Sequence, residues 1–69
     1  MELLFAKRLR ELRIAKGLTQ QQLGDIFNVG QTSISDWESR GNQPNYQILI
    51  ELVAFFEVTA GQLLGTEEY

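Results

Sequence analysis

The sequence predicts an all-α protein, a compact bundle of five short helices in which the second and third are joined by a tight turn. Three observations predict it. Apolar residues recur at intervals of three and four along the 69 residues, the spacing of one buried stripe per helix. Residues that start helices, Thr19, Asn45 and Thr59, precede these stripes, and Gly17, Asn28 and Gly65 follow them. Hydrophobic residues make up 43% of the chain, with four Phe and one Trp, which is enough apolar material for one core.

The first helix is expected from about Glu2 to Lys16, with Phe5, Leu9 and Leu12 as its inward stripe and Lys16 complementing the dipole before Gly17. The second opens at Gln20. Thr19 and Gln22 have the spacing of a capping box, and Leu18 can staple onto Leu23. Leu23, Ile26 and Phe27 form its apolar stripe, and Asn28 tolerates the left-handed backbone that ends it. The third starts near Gln31 and turns Ile34, Trp37 and Val29 inward, which leaves Gln31, Thr32, Ser35 and Asp36 outside. Ser39 to Gln43 reads as a polar loop closed by Pro44, the single proline. Asn45 caps a fourth helix reaching Phe56, with Tyr46, Leu49, Leu52, Val53 and Phe56 as its stripe. A short fifth helix capped by Thr59 adds Leu63 and Leu64 to Val58. Gly65 closes the domain, residues 1–65, and residues 66–69 read as a frayed acidic tail.

Composition narrows the function classes. With no cysteine and no histidine there is no disulfide, no thiolate chemistry and no usual zinc ligand, so neither a metal, a cofactor nor an enzyme active site is expected. No small-molecule site is evident. The early apolar run from Leu3 to Ala6 is too short for a signal peptide or a membrane span and meets Lys7 and Arg8, which points to a soluble, cytoplasmic protein with no membrane partner. The net charge of −3 runs against a phosphate binder. Its distribution matters more. Residues 1–44 carry all six Lys and Arg against five acids, +1, whereas residues 45–69 carry four acids, −4. The first part can meet a polyanion while the second faces away, so any phosphate binding is expected to be weak when non-specific and shallow in its salt dependence.

The residues Phe5, Arg8-Leu9-Arg10-Glu11-Leu12-Arg13, Gly17-Leu18-Thr19-Gln20, Leu23, Val29, Ile34-Ser35, Trp37-Glu38, Pro44, Val58 and Leu63-Leu64 together resemble the lambda-repressor-like, Xre/Cro-type regulators. The resemblance covers nearly the whole chain. It implies a helix-turn-helix formed by the second and third helices, the third lying in the major groove of double-stranded DNA with its N-terminal residues at base edges. Gln31, Thr32, Ser35 and Asp36 occupy the positions of base contacts. Their chemistry suits the role: Gln31 can pair with adenine, Thr32 offers a methyl to thymine, Ser35 bonds either class of base, and Asp36 accepts from cytosine N4. The bland alternative is a solvated helix face, and Asp36 also meets phosphate repulsion, so it can discriminate more than it adds affinity. Gln20, at the positive end of the second helix, is the expected phosphate clamp and by resemblance a support for Gln31. Arg40, Asn42 and Gln43 are further phosphate contacts, with Arg10 a weaker one.

The resemblance further implies an ion pair between Arg13 and Glu38 that ties the first helix to the third; a solvated Arg13 is the alternative. Three departures from the family pattern stand out. Asn28 occupies a turn position where glycine is common, Gly24 one where alanine is frequent, and Gly41 follows Trp37-Glu38 one residue late. One recognition helix reads only a few base pairs, so a homodimer on an operator of two half-sites is expected. Ile48, Ile50 and Phe55 exceed what the fourth helix's stripe needs and are the candidate dimer patch, with Leu63 or Leu64 beside them; completion of the core is the alternative. Function then reads as sequence-specific DNA binding by a transcriptional regulator, a repressor by family habit. The competing reading is a protein interaction module of the same fold that has lost DNA binding.

Overall fold

The computed structural model describes residues 4–40 and 42–68. Five helices follow one another: α1 (Phe5–Ala15), α2 (Gln20–Phe27), α3 (Gln31–Ser39), α4 (Tyr46–Phe56) and α5 (Ala60–Leu64), with no strand among the described residues. Glu2, the expected start of the first helix, lies outside the described residues, as do Gly41 and Tyr69. Among the described residues no helix is long and apolar enough to cross a membrane.

Helix boundaries follow from local hydrogen bonding. Thr19 Oγ1 accepts from the Gln22 N–H at 3.0 Å and Gln22 Oε1 accepts from the Thr19 N–H at 2.8 Å, so both halves of the capping box form. Thr59 and Gln62 repeat the same arrangement at the start of α5. At the head of α4, Asn45 Oδ1 accepts from the Ile48 N–H at 2.9 Å. The C-terminal ends share another device. Asn28 adopts φ 58° and Glu57 φ 57°, and the next residue's N–H reaches back to a carbonyl five positions earlier: Val29 to Gly24 at 2.8 Å, Val58 to Val53 at 3.2 Å. These are Schellman-type caps built on side-chain-bearing residues, where the left-handed backbone costs Glu57 more than it costs Asn28.

Every helix contributes to one core: Phe5 and Leu9 from α1, Leu23 from α2, Ile34 and Trp37 from α3, Leu52 and Phe56 from α4, Leu63 from α5. Two expected core positions are instead exposed. Ile26 is 49% exposed, because Leu23, Gly24 and Phe27 make the inner face of α2 and successive residues turn by about 100°. Gly24 is buried against the turn; an added Cβ would lie 2.8 Å from the Val29 carbonyl oxygen, so α3 closes on that side and Ile26 falls on the other. Tyr46, 76% exposed, stands in the first turn of α4, off the line of Leu52 and Phe56. The same geometry divides the apolar residues read as a dimer patch. Ile48 and Phe55 flank that line and pack against the core, as do Leu64 and the buried Leu63, whereas Ile50 is half exposed. Phe55 makes edge-to-face contacts with Phe27 and Phe56, and the Lys16 ammonium sits 5.0 Å from its ring centre.

The acidic tail is not frayed over residues 66–68. Arg8, buried on α1, donates through Nη1 to the carbonyl oxygens of Gln62 and Glu67, each at 2.7 Å. The N–H groups of Thr66 and Glu67 donate to the Gly61 carbonyl, and Gln62 Nε2 donates to the Glu68 carbonyl at 3.1 Å. Gly61 permits this return, since the Glu67 side chain occupies the space a Cβ would take. The signal was in the sequence. Arg8 stands three residues after Phe5 and four before Leu12, inside the apolar stripe, where a cation needs buried acceptors.

Candidate nucleic-acid interface

The helix pair owes its geometry to the tight turn at Asn28-Val29-Gly30 and to the missing side chain at Gly24, which lets α2 approach the backbone leading into α3. Ile34 and Trp37 anchor the inner face of α3. Its other face is polar and open: Gln31 and Thr32 are exposed, Ser35 and Asp36 half-buried. Ser39, read from sequence as loop, is the last residue of α3 and lies on the same face four residues after Ser35, donating from Oγ to the Ser35 carbonyl at 2.7 Å. The spacing of 31, 35 and 39 was a signal available for it. So the face is one turn longer than the sequence reading allowed.

A second layer fixes how α3 is presented. Arg13 meets Glu38 in a two-pronged contact, Nε to Oε2 at 2.6 Å and Nη2 to Oε1 at 3.0 Å, and its Nη1 donates to the Leu18 carbonyl at 2.7 Å. The side chains are 11% and 3% exposed, so this is a desolvated pair whose remaining donors are satisfied. Gln20 joins it. Its Nε2 donates to Glu38 Oε1 at 3.3 Å, so Gln20 faces Glu38 and not, as the resemblance implied, Gln31. The reason is competition: a buried carboxylate is a stronger acceptor than a neutral amide. Gln31 lies across a groove whose lining also includes Arg13, Leu18, Thr19, Gln20 and Gln21. The capping box engages the Gln22 N–H, which leaves the first-turn N–H groups of Gln20 and Gln21 without intrahelical acceptors beside this groove.

The cations divide between structural and free roles. Arg8 and Arg13 are held inside, and Lys16 lies over Phe55. Arg10 is exposed on α1 and, with Lys7, lines a second groove that reaches Glu38. Lys7 is an addition to the sequence reading, found one turn before Arg10. Arg40, at the end of α3, pairs with Asp36 at 3.7 Å. Asn42 and Gln43 are exposed in the segment before α4. All of the expected contact residues are therefore accessible, on α3, at the head of α2, on the outer side of α1 or in the α3–α4 connection.

Comparison with known proteins gives this arrangement a family. The profile of the family described as Helix-turn-helix matches residues 9–63. The chain is 44% identical over 64 residues to the HTH-type transcriptional activator BcrR of Enterococcus faecalis, covering 93% of this chain and 31% of that protein. It is 32% identical over 62 residues to the HTH-type transcriptional regulator ImmR of Bacillus subtilis, covering 90% of this chain and 49% of the relative. A transcriptional regulator from Listeria innocua, known from a crystal structure, superposes with a TM-score of 0.89 at 25% identity, over all of this chain and 64% of the other. The chain thus spans about a third to a half of the length of these two curated relatives. The chain belongs to the lambda-repressor-like, Xre/Cro-type helix-turn-helix family of transcriptional regulators.

Proposed function

We propose that this domain binds double-stranded DNA sequence-specifically, with α3 in the major groove, as part of a transcriptional regulator acting in the cytoplasm. The observation that carries the reading is the contrast between the faces of α3. Its inner face is fixed by Ile34, Trp37 and the Arg13–Glu38 pair, while Gln31 and Thr32 are exposed and Ser35 and Asp36 half-exposed beside them, with base-reading chemistry. Gln31 pairs with adenine, Thr32 meets a thymine methyl, Ser35 adds an adaptable hydroxyl, and Asp36 selects cytosine. The free N–H groups at the head of α2 hold one phosphate beside Gln20, with Arg10, Arg40, Asn42 and Gln43 placing the rest of the backbone. With few free cations, the salt dependence is shallow, roughly 0.9 log units per phosphate neutralised.

Repression is the proposed output, since occupying an operator that overlaps a promoter requires no contact beyond DNA; the similarity to a protein named as an activator makes the opposite sign the alternative. Two copies on two half-sites are proposed, meeting through Ile50 and the neighbouring Tyr46, the exposed apolar residues of α4. Sedimentation with and without operator tests this, and monomer under both conditions removes it. Selection from a random duplex pool tests the main reading. The domain is expected to enrich one motif, and a folded Gln31→Ala, Thr32→Ala variant to lose it. Equal enrichment by both removes Gln31 and Thr32 as the reading residues, and no enrichment by either overturns DNA binding and leaves a protein interaction module.

A further inference from the structure

Asp36 and Arg40 entered the sequence reading separately, one as a base contact and the other as a phosphate contact. The structure joins them. Arg40 Nε lies 3.7 Å from Asp36 Oδ1, and the Arg40 backbone N–H donates to the Asp36 carbonyl at 2.9 Å, so side chain and backbone of the last α3 turn both address Asp36. The side chains are 74% and 37% exposed, which leaves the pair within reach of a competing anion. From this geometry, and resting on the reading of α3 as the groove helix, we infer that Arg40 is shared: Asp36 holds it in the free domain, and a phosphate takes it over only where Asp36 finds a base donor.

The reason is local charge balance. On DNA of the wrong sequence, moving Arg40 to a phosphate leaves the Asp36 carboxylate uncompensated beside a polyanion, so the guanidinium stays where it is. At the right sequence an exocyclic amine, cytosine N4, donates a hydrogen bond to the carboxylate in place of the 3.7 Å ion-pair contact with Arg40. Base readout at Asp36 is thereby coupled to a phosphate contact at Arg40. Asp36 is then a specificity residue that acts largely through its neighbour. It suppresses non-specific binding by occupying one of the few free cations at the interface.

A double-mutant cycle on a short duplex of scrambled sequence, measured by anisotropy over a range of salt, tests the coupling. Asp36→Asn is expected to raise affinity for that duplex by up to about fivefold at low salt, the ceiling for an exposed pair, and to steepen the salt slope by about 0.9. In the Arg40→Gln background the same substitution is expected to leave the slope unchanged and to raise affinity less. Unchanged melting temperatures show that no variant acts through folding. Equal effects of Asp36→Asn with and without Arg40, or none in either, overturn the inference while the wild type's selected motif still stands. A wild type that selects no duplex removes the inference together with the reading beneath it.

Discussion

Two arginines on one helix do opposite kinds of work, and the contrast separates the DNA-facing part of the molecule from the rest. Arg13, near the end of α1, meets a charge: Glu38 on α3, with Gln20 of α2 on the same carboxylate. Arg8, one and a half turns earlier, reaches two backbone carbonyls, those of Gln62 and Glu67. The first contact orients a helix. The second folds a tail. An ion pair between side chains fixes the relative placement of three helices at a point, whereas carbonyl acceptors tie Arg8 to whatever path the backbone takes there. The recognition face therefore rests on a contact whose loss leaves a buried carboxylate without its cation.

The largest effect is expected on breaking the charge pair. Arg13→Met leaves the buried Glu38 carboxylate unpaired and is expected to cost about 3–5 kcal/mol, read by urea denaturation. Arg13→Met with Glu38→Leu should recover most of that loss, because both buried charges go together. A single variant with near wild-type stability would show that water reaches Glu38. Losing the two carbonyl contacts in Arg8→Met is expected to cost about 1.5–3 kcal/mol, with hydrogen-exchange protection lost first at residues 65–68. Uniform loss of protection would mean that the tail and the core are one cooperative unit. The smallest effects concern the two left-handed caps. Glu57→Gly is expected to stabilise by about 0.5–1 kcal/mol and Asn28→Gly by roughly half of that or less, since asparagine already tolerates the conformation. Equal gains at the two sites would remove the distinction between them.

What could be read from sequence was what is local. Caps at Thr19, Asn45 and Thr59 and stripes such as Phe5 and Leu9 depend on neighbours within one turn, and the structure forms them. Errors arose where the answer depends on which helix lies opposite. Ile26 belongs to a plausible stripe until α3 closes on Gly24, and Ile48 and Phe55 look spare until Leu52 and Phe56 set the inner face of α4. For the hook at residues 66–68, Arg8 within the α1 stripe signals that buried acceptors are needed but not which ones, since they lie 54 and 59 positions away in the chain. At the interface the side chains were legible as a set but not as a network. Gln20 turning to Glu38 and Arg40 turning to Asp36 are choices among acceptors that only the folded arrangement offers.

Amide chemical-shift mapping during titration with a selected duplex asks whether the outer face of α3 and the head of α2 meet DNA while α5 and its tail do not. Large shifts are expected at Gln20, Gln21, Gln31, Thr32 and Ser35, smaller ones at Arg10 and Asn42, and none beyond noise at Leu63 to Glu68. Shifts centred on Tyr46 and Ile50 or on the tail, with Gln31 and Thr32 unmoved, would contradict the account.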